Sequence, residues 1–118
     1  MPHITVEYTS NIHSDWKILF GKLHPVMKEM TGTPSITNCK SRAYCCSNDN
    51  GSCYLVGDGG GANDGCFIHV EVALLEGKSK EEKQAIGMKV KDMFVEHLGL
   101  PITIEVRDIQ KDFYFKHI

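Results

Sequence analysis

The chain writes one pattern twice. His3-Ile4-Thr5-Val6-Glu7-Tyr8 lines up with Phe67-Ile68-His69-Val70-Glu71-Val72, residue 3 falling on residue 67, and Gly32-Thr33-Pro34-Ser35-Ile36-Thr37 lines up with Gly99-Leu100-Pro101-Ile102-Thr103-Ile104, residue 32 falling on residue 99. The first member of each pair alternates in the way of a half-buried strand, and the Gly-x-Pro of the second stops a helix and leads into another strand. The unit is strand, helix, stop, strand.

The segments between carry helical periodicity. From about Ser14 to Met30, the residues Trp16, Leu19, Phe20, Leu23, Met27 and Met30 recur at three- and four-residue intervals and form one apolar stripe. Pro25 falls inside that stretch and removes a backbone donor, so a kink or break is expected there. The second helix has a sharper start, because Ser79 with Glu82 three residues on forms a capping box. Ile86, Val90, Met93, Phe94 and His97 make its buried stripe, and Gly99 with Pro101 ends it.

A helix of this length between two strands normally makes them parallel neighbours through a right-handed connection. Two such units place four strands in one sheet with both helices on one face. The expected class is α/β (α+β), a tandem β-α-β repeat with a mainly parallel or mixed sheet. One domain is expected over residues 1–118, with repeats 2–46 and 66–110 joined by residues 47–65. The sheet face away from the helices needs a cover of its own, and self-association supplies one most simply.

That connection holds the turn-forming run Ser47-Asn48-Asp49-Asn50-Gly51-Ser52, then Tyr54-Leu55-Val56 as a short returning strand, then a glycine-rich stretch from Gly57 to Gly65. The glycines do not make a phosphate loop. A Walker motif needs Gly-Lys-Ser/Thr, and a dinucleotide turn must open a helix. Here the glycines run into a strand, and Asp58 and Asp64 would repel phosphate. A flexible connection is the better reading.

Composition narrows the function classes. A formal charge of −2 argues against a general nucleic-acid binder, which presents a basic face. No apolar stretch approaches the roughly 18 residues that cross a bilayer, and the amino-terminal run lacks the basic and apolar regions of a signal peptide. A cytoplasmic location is expected. The five cysteines (Cys39, Cys45, Cys46, Cys53, Cys66) are odd in number and contain no C-x-x-C pair. Cys45 and Cys46 are adjacent and point to opposite faces of a strand, so they cannot share an ion. Structural zinc normally uses closely spaced pairs. Reduced thiols, mostly buried, and no metal are expected.

Two features bear on chemistry. Pro2 follows an initiator Met, and Met is usually trimmed before so small a residue. Trimming would leave a secondary amine held at the head of a strand, where its pKa can be tuned toward use as a base. The alternative is that Pro2 merely opens the strand, where its missing N–H does no harm. Farther on, Lys40 and Arg42 are two apart and share one face of the strand after the first helix. They are either charges that guard a sheet edge against aggregation or the wall of an anion pocket. The strand that carries them is expected beside the first, which would bring Pro2 near one of them.

Pro2-His3-Ile4-Thr5-Val6-Glu7, Lys40-Ser41-Arg42 and the run from Phe67 through Glu76-Gly77-Lys78-Ser79, down to the closing Phe115-Lys116, resemble the 5-carboxymethyl-2-hydroxymuconate isomerase family of the tautomerase superfamily. The likeness spans nearly the whole chain. It implies a β-α-β repeat fold, a homotrimer, and an amino-terminal proline acting as general base without a cofactor. Carried over by position, Pro2 matches the catalytic proline. Lys40-Ser41-Arg42 matches a segment that usually reads Arg-Ser-Arg, and Lys78 matches the Arg of a Gly-Arg-Ser stretch before the second helix. Two arginines of the pattern are lysines here, which keeps the charge and loses the planar fork that grips a carboxylate through two bonds. The resemblance assigns no role to Pro25 or to the cysteine-rich stretch from Cys45 to Cys53.

The implied reaction is a keto–enol or allylic proton shift on an unsaturated mono- or dicarboxylic acid. Its base must be neutral near pH 7. One cation about 6 Å away at an effective dielectric near 20 contributes about 2.8 kcal/mol, or about two pKa units. Lys40 and Arg42 would then free the amine, bind the substrate carboxylate and steady the enolate, with Lys78 adding to the anion site. The rival is a non-catalytic binding protein of the same trimeric fold, similar to macrophage migration inhibitory factor. Thr31-Gly32-Thr33-Pro34 resembles the Thr-Gly-Lys-Pro of that family, with Thr33 in place of the pocket lysine.

Overall fold

The computed structural model of the protein describes residues 2–9, 12–46 and 67–117. The expected returning strand at Tyr54-Leu55-Val56, the glycine-rich stretch, Cys53 and Cys66 lie outside the described residues.

The elements run β1 (His3–Thr9), α1 (Trp16–Thr31), β2 (Lys40–Cys46), β3 (Ile68–Leu75), α2 (Lys80–Leu98) and β4 (Thr103–Ile109), with short 3-10 turns at Ile36–Asn38 and Lys111–Phe113. Each strand–helix–strand unit closes as a parallel pair, β1 with β2 and β3 with β4. The units join through an antiparallel β1–β3 pair, giving one four-stranded mixed sheet in the order β2-β1-β3-β4. No helix among the described residues is long and apolar enough to cross a membrane.

Both helices lie on one face. Leu19, Leu23 and Met27 of α1 and Ile86, Val90 and Phe94 of α2 share one buried cluster with Ile4, Val6, Ile68, Val70, Val72 and Leu74. Trp16, Phe20, Met30 and Met93 pack against its rim, so the stripes read from the sequence face the core, except that His97, expected in the second, is only half-buried. At about 25 cal/mol per Å² of apolar surface removed from water, such a layer dominates the stabilising side of folding.

The helix ends follow their local chemistry. At the start of α2 the Ser79 hydroxyl accepts from Glu82 N and the Glu82 carboxylate accepts from Ser79 N, at 3.1 and 3.0 Å. Gly99 (φ 65°) and Gly32 (φ 71°) end the two helices in the left-handed conformation that glycine adopts without a Cβ penalty. The start of α1 lies two residues beyond the expected Ser14, because Asp15 is the cap and accepts from Ile18 N at 3.2 Å. The helix also runs unbroken through Pro25. The carbonyl that loses its partner belongs to Gly21, and both residues are exposed, so water can take the lost bond.

The sheet face away from the helices is polar. His3 and Thr5 stand beside Lys40 and Arg42 in register, and Glu71 lies opposite Glu105. Arg107 answers that like-charge pair, reaching Glu105 at 3.0 Å and Glu71 at 3.7 Å. Exposed Tyr44, in register with Glu7, stands on the same face, and Phe113 and Phe115 are exposed beyond β4.

Candidate active site

Pro2 is fully buried at the head of β1. Its carbonyl accepts from Lys40 N at 3.0 Å, which fastens this end of β1 to the first residue of β2. Beside it lies a cavity of about 500 Å³. Its walls come from Pro2, from residues 31–34 after α1, from residues 74–78 leaving β3, and from Lys111 and Lys116 beyond β4. The site therefore forms where four chain segments end at one edge of the fold.

Lys78 is half-buried in that wall, and its ammonium donates to the Thr31 carbonyl at 2.9 Å. Gly77 just before it sits at φ 118°, a backbone region open to glycine, so the exit from β3 turns toward the cavity at that residue. Thr31 donates its hydroxyl to Met27 O at 2.6 Å, and the buried Thr33 then supplies the proton for the 2.6 Å contact between the two hydroxyls. These bonds fix the α1 exit turn, and with it the carbonyl that holds Lys78.

Lys40 and Arg42 do not line the cavity. Side chains alternate along a strand. Pro2 has the parity of Ile4 and Val6, which face the helices, whereas His3 pairs with Lys40 and Thr5 with Arg42 on the opposite face. Ser41, between the two cations, points to the helices and meets His24 Nε2 at 2.6 Å. Pro2 and Lys78 are thus brought together within one chain. Lys40 and Arg42 share a face, as their spacing implied, but it is the other one.

On that face Lys40 donates to Thr37 O at 2.9 Å. Arg42 reaches His3 Nδ1 at 2.7 Å and Thr5 Oγ1 at 3.3 Å, and His3 Nε2 lies 3.1 Å from the Tyr114 hydroxyl. Burial holds the His3 pKa below its ordinary value, and the charges of Arg42 and Lys40 lower it further. His24 is lowered by burial first and by Lys40 second. Burial raises the Cys39 thiol, with Lys40 pulling the other way. That thiol is buried, as is Cys46, while Cys45 is exposed, which is the opposite-face arrangement expected of adjacent strand residues.

Two lysines of the cavity escaped the reading of the sequence. Lys116 closes the chain's resemblance to its relatives without a role, and Lys111 stands in an irregular stretch where no periodicity marks it. With Lys78 they put three ammonium groups around the cavity against the single carboxylate of Glu76.

A family model for 5-carboxymethyl-2-hydroxymuconate isomerase matches residues 2–117. The chain belongs to that family. Among solved structures, a 5-carboxymethyl-2-hydroxymuconate isomerase from Deinococcus radiodurans R1 is similar over 98% of this chain and 88% of its own, at 24% identity and a TM-score of 0.78. A fused 4-OT wild-type symmetric trimer matches at 18% identity and a TM-score of 0.70, covering 92% of this chain and 86% of its own. A macrophage migration inhibitory factor-like protein from Entamoeba histolytica matches at 12% identity and 0.67, over 98% of this chain and 95% of its own. At these identities the structural likenesses carry the fold, and the family match carries the assignment to isomerases. A comparison with curated proteins gives no match.

Proposed function

We propose that the protein is a cofactor-independent tautomerase of unsaturated mono- or dicarboxylic acids, with the amino-terminal nitrogen of Pro2 as base once Met1 is removed. The observation that carries this is the buried Pro2 in the wall of a cavity that also holds Lys78. Membership of an isomerase family supports it.

The proton balance needs no second reactant. The Pro2 nitrogen takes the hydroxyl proton of a 2-hydroxydienoate, and the electron pair released forms the C2 carbonyl as the double bonds shift. The prolinium then returns the same proton to a carbon of the shifted chain. The amine ends as it began. Lys78 binds the carboxylate and opposes protonation of Pro2, lowering the pKa of the amine as any nearby cation does.

In this reading the protein is a cytoplasmic homotrimer. Because Lys40 and Arg42 lie on the face away from their own Pro2, they would serve as substrate-binding cations toward the cavity of a neighbouring copy. The trimeric state of the fused 4-OT structure supports a homo-oligomer. Pro2→Ala leaves a primary amine of different basicity and mobility. Ketonisation of phenylenolpyruvate by that variant should fall at least about a hundredfold, the lower end of what general base catalysis contributes. Turnover equal to that of the parent protein removes Pro2 from the mechanism, and an inert parent of verified Pro2 terminus would favour a binding protein.

A further inference from the structure

A second cavity, a groove of about 700 Å³, lies between α2 and β4 and shares no lining residue with the one beside Pro2. β4 is an outermost strand of the sheet, so α2 covers its helix-facing side chains from one flank only. Ile102, Ile104 and Val106 alternate on that side, remain half-exposed and make an apolar floor. From α2 come Gly87 and Met88, the latter 55% exposed. An added Cβ at Gly87 would stand 3.1 Å from Val106 Cγ2, so helix and strand close the bottom of the groove there with no side chain between them.

The charge of the groove is of one sign. The chain carries 15 acidic residues against 13 lysines and arginines, yet three lysines and no carboxylate line this groove. Lys80, Lys83 and Lys91 all come from α2, whereas Glu81, Glu82, Asp92 and Glu96 of the same helix do not line it. Asp108 reaches Lys83 at 3.3 Å and Asp92 reaches Lys91 at 3.8 Å, both solvent-accessible pairs that a competing anion can exchange. Lys80 and Lys83, three residues apart, are neighbours on the helix. The Lys83–Asp108 contact puts them at the Val106 end of the floor. From there to Ile102 the floor runs about 13 Å at the strand rise, the length of an extended chain of about ten carbons.

We propose that the α2–β4 groove binds a medium-chain fatty carboxylate, with its headgroup between Lys80 and Lys83 and its chain along Val106, Ile104 and Ile102. An apolar trough with cations at one end is complementary to an anion with an apolar tail, because the tail leaves water while the head keeps charged partners. Each methylene buried tightens binding by up to about fourfold, and each exposed ion pair by up to about fivefold. The site is independent of the chemistry at Pro2.

Decanoate is the probe, titrated into the intact protein and followed by methyl NMR shifts. Saturable shifts at Met88, Ile104 and Val106 are expected, with decanoate bound at least about fourfold more tightly than octanoate. Decyltrimethylammonium, of equal chain length and opposite charge, should bind at least about tenfold more weakly. Lys80→Gln with Lys83→Gln should weaken decanoate about tenfold. Lys17→Gln with Lys28→Gln, at exposed positions of α1, removes the same charge and should leave the Kd unchanged. Met88→Glu sets an anion over the floor at an exposed helical position that glutamate suits, and it should abolish the shifts at Ile104 and Val106. Equal affinity in the Met88→Glu protein overturns the proposal, as do shifts confined to Leu74 and Leu75 of the cavity beside Pro2. A sedimentation mass lowered by Met88→Glu would assign the groove to a contact between copies of the chain and overturn it as well.

Discussion

Arg42 places its guanidinium Nη2 2.7 Å from His3 Nδ1, and this contact fixes the state of the imidazole. A guanidinium only donates, so Nδ1 must accept and the ring proton sits on Nε2. From there it is donated to the Tyr114 hydroxyl. The neutral tautomer is the one that satisfies both contacts, which agrees with a His3 pKa held below its ordinary value by burial and by the nearby cations.

His3 should therefore titrate below pH 6.5 in the folded protein, followed by its ring carbon shifts in NMR, and Arg42→Ala should bring the midpoint back toward 6.5. The sign for stability follows from linkage. A folded-state pKa lower than the unfolded one means that the unfolded chain binds the extra proton first as pH falls. The His3 contribution is present above about pH 6.5 and is lost as pH falls below it, through the depressed folded value. Glu82, lowered mainly by its bond from Ser79 N, acts in the same direction farther into acid. Denaturant midpoints should accordingly decline from pH 7.5 to pH 5, and a flat or rising profile would count against this assignment of protons.

The capping box at the head of α2 offers a second check. Ser79→Ala removes the hydroxyl that accepts from Glu82 N, while the backbone N of residue 79 can still donate to the Glu82 carboxylate. The loss should be about 1 kcal/mol, read as a fall of about 4 °C in Tm. The same substitution should raise the Glu82 pKa only part of the way toward its ordinary value, because the side-chain bond is lost and the bond from the backbone N remains.

The fold was legible wherever a residue acts on its own neighbourhood. Ser79 with Glu82, Gly32 and Gly99, and the stripes through Leu23 and Phe94 each specify local structure, and all appear as read. The unbroken course of α1 through Pro25 was not legible, because it depends on Gly21 and Pro25 both facing water. Nor was the side on which Lys40 and Arg42 stand. Their shared face follows from alternation, but its relation to Pro2 depends on register, and the register pairs Lys40 with His3. A slip of one residue would have put both cations on the face of Pro2. Lys111 and Lys116 enter the cavity from a stretch with no periodicity, held by bonds to Glu76 and His3 that no sequence pattern announces.

Two glycines in the helices should respond oppositely to substitution. Gly21 is exposed in the interior of α1, and a Cβ there meets nothing within 4 Å. Gly21→Ala should stabilise the protein by about 0.5–1 kcal/mol through helix propensity. Gly87 lies against β4, where an added Cβ would stand 3.1 Å from Val106 Cγ2. Gly87→Val forces a branched side chain into that contact and should cost about 1–3 kcal/mol. Urea denaturation of the two variants measures both effects.

The catalytic reading comes down to whether the Pro2 nitrogen is an amine or an amide. The most direct measurement uses the protein carrying a cleavable amino-terminal extension, assayed for phenylenolpyruvate ketonisation before and after cleavage to Pro2, with intact mass recorded for each form. Every side chain from Pro2 onward is the same in both, and cleavage removes the extension and turns the Pro2 nitrogen from an amide into an amine. Activity that appears on cleavage is the predicted result. Equal activity in the two forms would contradict the account.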